Sequence, residues 1–205
     1  MKPVFITVEG VDGSGKSTQV RLLREFLDQE GVPYVFAREP GGTRLGEQIR
    51  PIILTPDNPE MTPETEALLY AAARAQLVRE VILPALRSGQ AVLCDRFVDS
   101  SICYQGYGAG LDLKFVQEIN RVASAGLRPG LTILFDLPPE EGERRRGSPG
   151  DRIERRDPSY HQRVRDCYLG LARQEPDRIA VIDARQTVEE IHQQVRNLVR
   201  GALGI

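Results

Sequence analysis

Residues 4–18, Val4-Phe5-Ile6-Thr7-Val8-Glu9-Gly10-Val11-Asp12-Gly13-Ser14-Gly15-Lys16-Ser17-Thr18, constrain the fold of this chain more than any other stretch. An apolar, β-branched run leads into Gly-x-x-x-x-Gly-Lys-Ser, and Val20, Leu22, Leu23, Phe26 and Leu27 follow as the apolar face of a helix. The glycines therefore lie between a buried strand and a helix. In that setting amide N–H groups converge on phosphate oxygens and the helix turns its positive end toward them. The reading is a phosphate-binding loop, with Gly10, Val11, Asp12, Gly13, Ser14, Gly15, Lys16, Ser17 and Thr18 around a nucleotide. Lys16 then reaches the β- and γ-phosphates and the Ser17 hydroxyl is a ligand for Mg²⁺. A bare glycine turn needs neither the lysine nor the hydroxyl at those positions.

Beyond the loop, strands and helices alternate. Tyr34–Ala37, Ala91–Cys94, Leu131–Phe135 and Ile179–Asp183 are continuous apolar runs, separated by helical patterns over 44–54, 63–87, 112–125 and 159–172 and a last helix capped near Thr187. Strands that are apolar on both faces imply a parallel sheet covered on both sides. The expected fold is α/β and doubly wound: a three-layer P-loop fold with a five-stranded parallel sheet, as one domain over 1–205. Ligands in such folds sit beyond the carboxyl ends of the strands, which here carry the P-loop, Arg38-Glu39-Pro40, Asp95-Arg96 and Asp136.

Composition narrows the partners. A net charge of −2 gives no bulk attraction to nucleic acid or to an anionic membrane, and no apolar stretch approaches the length of a membrane span. The start Met-Lys-Pro running at once into a strand does not read as a cleavable signal, so a cytoplasmic protein with small-molecule partners is expected. Cys94, Cys103 and Cys167 are odd in number and lack metal-ligand spacing, which suits reduced thiols in or near the core. Of the 27 basic residues only Lys2, Lys16 and Lys114 are lysines, and arginine is the side chain suited to bidentate phosphate contact.

Asp95 follows the third strand, where P-loop proteins place the acid that holds the Mg²⁺ hydration shell, although a strand-terminal Asp can also cap the next helix. Arg96 beside it reads as an unpaired cation waiting for a second anion, such as an acceptor phosphate. Tyr70 and Arg74, four apart on one helix, share a face on which a planar ligand could stack, and a half-buried Tyr under an arginine stem fits the spacing as well. Residues 100–108, Ser-Ser-Ile-Cys-Tyr-Gln-Gly-Tyr-Gly, can offer hydroxyls and amides to a base or sugar, or form a capped helix and turn.

Together these stretches resemble the thymidylate kinases of the nucleoside-monophosphate kinase group, over about residues 3–183. The matching segments are Val8 to Gln19, Arg38-Glu39-Pro40-Gly41-Gly42-Thr43, Tyr70 to Gln76, Asp95-Arg96-Phe97 with Ser100, Ser101, Tyr104, Gln105 and Gly106, and Asp151-Arg152-Ile153-Glu154 after Arg144-Arg145-Arg146. The resemblance implies transfer of the γ-phosphoryl of ATP to dTMP with Mg²⁺ held by Ser17 and Asp95, and a homodimer. It implies that Asp12 holds the 3′-hydroxyl of dTMP, Arg38 and Arg96 its phosphate, and Tyr70 the face of thymine. Arg74 then bonds the carbonyl edge, Ser100, Ser101 and Gln105 line the base, and Tyr104 closes against the sugar. Where the family usually has Phe, this chain has Tyr70.

Lys16, Arg152, Arg146, Arg38 and Asp95 are the candidate catalytic residues. The variable positions of the P-loop carry no cation, whereas Arg144, Arg145, Arg146 and Arg152 crowd the segment 140–157, which reads as a mobile lid supplying the catalytic arginine. Arg152 is the first choice and Arg146 the second. A GTPase switch would need a guanine-binding Asn-Lys-x-Asp, and none of the three lysines stands in that setting. A kinase of another small acceptor is opposed by the Tyr70–Arg74 pair, because a non-nucleotide acceptor needs no stacking ring.

Overall fold

The computed structural model describes residues 4–147 and 150–205. Its five strands, β1 (Phe5–Glu9), β2 (Tyr34–Arg38), β3 (Ala91–Asp95), β4 (Leu131–Asp136) and β5 (Ile179–Asp183), form one parallel sheet in the order β2-β3-β1-β4-β5. The expected α/β architecture is present. β1 is central, with Phe5 level with Val92 of β3 and Ile6 level with Leu131 of β4.

Alternate side chains of β1 and β3 serve different cores. Ile6 and Val8 of β1 and Leu93 of β3 join α1 (Lys16–Gln29), α8 (Pro158–Gln174) and α9 (Val188–Leu203) on one face. Phe5, Val92 and Cys94 join the apolar side of the long helix on the other. Helix starts follow side-chain caps. Thr43 accepts from Gly46 N at α2 (Arg44–Leu54), Thr62 from Thr65 N at α3 (Pro63–Leu77), and Asp112 from Phe115 N at α6 (Leu113–Ala123). Asp157 caps α8 in the same way, and Thr187 with Glu190 makes a capping box at α9.

Three segments differ from expectation. The helix over 63–87 is α3, a π-helical turn Val78–Ile82, and α4 (Leu83–Arg87). The wide turn comes just before Pro84, which has no N–H to donate and crowds the carbonyl four residues back. Residues 98–108 are helical throughout, as a turn α5 (Val98–Ser101) continued by a π-helical segment Ile102–Gly108. The first half of the arginine-rich segment is a helix, α7 (Pro139–Arg146), and Ser148 and Pro149 of the expected lid lie outside the described residues. The three cysteines are free and buried, and no described helix is long and apolar enough to cross a membrane.

Candidate active site

β1 ends at Glu9 and the chain turns through Gly10–Gly15 into α1. Gly15 precedes the helix at φ 87°, a left-handed conformation that leaves the first amides of α1 pointing into the loop. Lys16 Nζ donates to the carbonyls of Gly10 (2.9 Å) and Val11 (2.8 Å), which holds the ammonium inside the loop. Burial, with Arg96 adding and Asp12, Asp95 and Glu9 opposing, pulls the Lys16 pKa down to about 8. The loop opens into a cavity of ≈ 520 Å³ beyond the carboxyl ends of β1, β2 and β3.

Its walls bring together most of the residues singled out in the sequence. Asp12, Gly13, Gly15, Lys16, Ser17 and Thr18 line one side; Arg38, Tyr70, Arg74, Asp95, Arg96, Ser100, Ser101, Tyr104 and Gln105 line the other; Arg146 reaches in from the end of α7. Gly10, Val11 and Ser14 belong to the loop but not to this wall, and Arg152 is also absent from it. Its guanidinium is turned away, donating to the carbonyl of Ile53 at 2.9 Å and paired with the buried Glu66 at 2.7 Å.

Arg96 corrects one expectation: it is not an unpaired cation. It donates to Asp12 Oδ1 at 2.6 Å and Ser100 Oγ at 3.3 Å, and lies over the Tyr104 ring at 5.0 Å. Burial pushes the Asp12 carboxyl up, but the charges of Arg96 and Lys16 outweigh it and hold the pKa at about 2. Arg96 has φ 70°, a left-handed conformation that costs a non-glycine residue about 1–2 kcal/mol. Glu9 stands directly behind it. Its carboxylate accepts from Phe97 N (2.8 Å), Ser100 Oγ (2.6 Å) and Tyr168 Oη (2.8 Å), fixing the backbone on the far side of Arg96 and one of that arginine's own partners.

Arg74 is 1% exposed, and every one of its N–H groups already has an acceptor. Nε and Nη2 bond Glu39, Nη2 also the Phe97 carbonyl, and Nη1 bonds Ser101 Oγ and Asn120 Oδ1. A base carbonyl meeting Arg74 would share a donor in a three-centre bond. Tyr70 stands half-buried above it with no hydrogen bond to its hydroxyl among the described residues. Arg38, at the exposed end of β2, is held by Glu47 at 3.1 Å.

Two orphaned atoms point at functions. Among the described residues, Asp95 Oδ1 at the end of β3 and Arg146 Nε at the end of α7 are buried without a partner. The other end of Arg146 is 3.6 Å from Glu154. Helix α7 meets the P-loop backbone to backbone: a Cβ on Gly13 would fall 2.2 Å from the Gly142 carbonyl, and one on Gly142 2.3 Å from that of Asp12. Sequence reasoning passed over Glu9, Glu39, Glu66 and Asn120. For Glu66 a signal existed, since Glu66, Tyr70 and Arg74 are spaced four apart and share one face of α3.

Comparisons with known proteins agree with this geometry. A family model described as thymidylate kinase matches residues 8–195. A thymidylate kinase of Symbiobacterium thermophilum is 56% identical over 201 residues, covering 98% of this chain and 94% of that one. One of Pelotomaculum thermopropionicum is 53% identical over 198 residues, covering 95% and 92%. The crystal structure of thymidylate kinase from Ehrlichia chaffeensis superposes with a TM-score of 0.80 at 33% identity, covering 97% of this chain and 99% of that one.

The Glu9 environment has a pH signature. Burial, then the Asp99 charge, lifts its pKa from 4.5 to about 7 against the pull of Arg96, Ser100 and Tyr168. The folded protein thus keeps this proton to a higher pH than the unfolded chain, so the associated stability is present below about 4.5 and is lost as pH rises through about 7. Glu9→Gln cannot ionise. Urea unfolding of both proteins from pH 4.5 to 7.5 should show the variant gaining on the wild type as pH rises; parallel stability curves would refute the assignment.

Proposed function

We propose that this chain, which belongs to the thymidylate kinase family, phosphorylates dTMP from ATP by direct transfer within the one cleft, yielding dTDP and ADP on the way to dTTP. The observation that carries the reading is the arrangement of the cavity. A P-loop with its lysine forms one wall, and two aromatic rings, three arginines and an amide suited to a pyrimidine nucleotide form the wall facing it. A single domain holds both substrates, and a cytoplasmic setting belongs to the same reading.

The P-loop amides, the N-terminus of α1 and Lys16 bind the ATP phosphates. Arg96 and Arg38 hold the acceptor phosphate, Asp12 the 3′-hydroxyl, and Tyr104 the sugar. Tyr70 stacks on the base, whose edge meets Arg74, Ser100, Ser101 and Gln105. Positioning and neutralisation of charge supply the rate, with no covalent phospho-enzyme. His161 and His192 lie on α8 and α9, outside the cavity wall.

Mg²⁺ fits the residues present. No group of three or more His, Cys, Asp or Glu gathers as a metal site among the described residues, but Mg²⁺ keeps several waters and needs only one or two protein ligands beside the phosphates. Ser17 Oγ and the orphaned Asp95 Oδ1 would hold it or its waters. When bound, the ion neutralises charge developing on the phosphoryl oxygens.

For the lid, the contacts favour Arg146 over Arg152. Arg152 is committed to Glu66 and the Ile53 carbonyl, whereas Arg146 borders the cavity with an Nε that has no partner among the described residues. Arg146 is therefore the arginine that meets the transferring phosphoryl group. A second copy of the chain covers the face where α3 lies beside α2 and α6, which leaves Leu45, Ile52, Leu68 and Val122 exposed.

Three measurements test this reading. In a coupled assay over dTMP, dUMP, UMP, dCMP, AMP and GMP, dTMP should give the highest kcat/KM; an equal or better acceptor overturns the function. Arg146→Ala should lower kcat about a hundredfold with the dTMP KM nearly unchanged, the signature of a contact made in the transition state. Near-normal kcat in that variant removes Arg146 from the chemistry. Sedimentation at micromolar concentration should show a species of twice 22.9 kDa, and a lone 22.9 kDa species rules out the dimer.

A further inference from the structure

Glu66 lies on α3, one helical step before Tyr70, and its side chain is wholly buried. Three donors converge on it from two parts of the chain. Gln105 Nε2, from the π-helical segment beside the cavity, donates to Oε1 at 2.9 Å. Arg152 and Arg156, from the segment that follows the lid helix, are both on Oε2, at 2.7 and 2.6 Å. With two guanidiniums on Oε2, the hydrogen bond to Oε1 among the described residues comes from Gln105 alone.

This arrangement decides a question that shape alone leaves open. The two ends of a glutamine amide are nearly the same size, so packing does not determine which one faces a ligand. A carboxylate can only accept. Turning the Gln105 amide over would set its oxygen against Oε1 of Glu66, two acceptors at hydrogen-bond distance with no proton between them, and both side chains are buried. The NH₂ group must therefore face Glu66, and the amide oxygen is left over. Gln105 lines the cavity, and no hydrogen bond reaches its Oε1 among the described residues.

We propose that Glu66 is a specificity-determining positioning residue. By holding the NH₂ group of Gln105, it presents a fixed acceptor to the acceptor base, and the same carboxylate anchors the segment that follows the lid. This rests on reading the cavity as the site of a pyrimidine nucleoside monophosphate. A fixed acceptor matches a base edge that carries an N–H, as N3 of thymine or uracil does. Cytosine presents a bare acceptor at N3, which would leave two lone pairs opposed and desolvated, and sites built to pair a donor reject the analogue that lacks it strongly. Glu66 touches no substrate; it acts through Gln105.

A purely structural role for Glu66 would lower stability and leave base preference alone, so the test reads preference. kcat/KM for dTMP and for dCMP is measured in the wild type, Glu66→Gln, Gln105→Leu and the double variant. The amide that Glu66→Gln introduces can offer either of its ends, so Gln105 is free to turn. The dTMP/dCMP ratio should fall at least tenfold in Glu66→Gln, chiefly through a gain on dCMP, and should fall in Gln105→Leu through a loss on dTMP. In the double variant Glu66→Gln should add nothing further, because its effect passes through Gln105. A ratio within twofold of wild type in folded Glu66→Gln, or additive effects in the double variant, overturns the proposal. If Glu66→Gln does not fold, the side-chain NH₂ of Gln105 is followed in ¹⁵N-labelled wild-type protein. Protection from exchange that persists, with little shift on adding dTMP, supports the lock; loss of protection or transfer of the NH₂ contact to dTMP refutes it. A wild type that does not prefer dTMP would sink the functional reading itself, whereas a dTMP preference that survives Glu66→Gln sinks only the role of Glu66.

Discussion

The cleft depends on arginines paired across elements with carboxylates that are buried or, at Asp12, half-buried. Arg74 with Glu39, Arg152 and Arg156 with Glu66, and Arg96 with Asp12 each join a guanidinium from one element to a carboxylate from another. Taking either charge out of water alone is prohibitive, and removing one partner of a buried pair typically costs about 3–5 kcal/mol. Each pair is consequently a distance constraint between parts of the chain that the sheet by itself leaves independent. α3 is fastened to the end of β2 by one, to the segment after the lid by another, and the P-loop to the end of β3 by the third.

Because the pairs are already satisfied, they change what the site residues can do. Arg74 has no spare N–H, so whatever it contributes to the base must be shared with Ser101 or Asn120. Glu9 stands one layer further back and holds the backbone of Phe97, which lets Arg96 keep a left-handed conformation that its own side chain disfavours. Geometry at the reacting centre is in this way set by groups that never reach it.

The fold was largely legible because its signals are local. Five continuous apolar runs and the cap near Thr187 lie within a few residues of what they determine, and the helix expected over 44–54 has those bounds. The π-helical segments were not read in advance: Pro84 marks the place of the first, but a proline can equally kink or end a helix, and no comparable residue marks the second. In the site, the residues at strand ends and in the P-loop could be read, but their partners could not: Asp12 lies 84 positions from Arg96, and Glu39 lies 35 from Arg74. The partner of Arg152 was hidden for the same reason, because the carboxylate that pairs with it comes from a helix begun some ninety residues earlier. Glu66 was within reach by its spacing from Tyr70 and Arg74, and nothing in the segment 150–156 announced that it would come back to meet it.

The contact between Gly13 and Gly142 sets a limit on how such a sequence can drift. In an ordinary packed contact, a larger side chain at one position can be accommodated by a smaller one opposite, and paired changes keep the total volume constant. Here both positions already carry the smallest residue there is, and the atoms in contact are backbone. No second substitution can make room for the first. Among the described residues the junction between the loop and α7 has no side chain that could shrink to make room, so variation has to be taken up on either side of it, in the charged residues of α7 and in the variable positions of the loop.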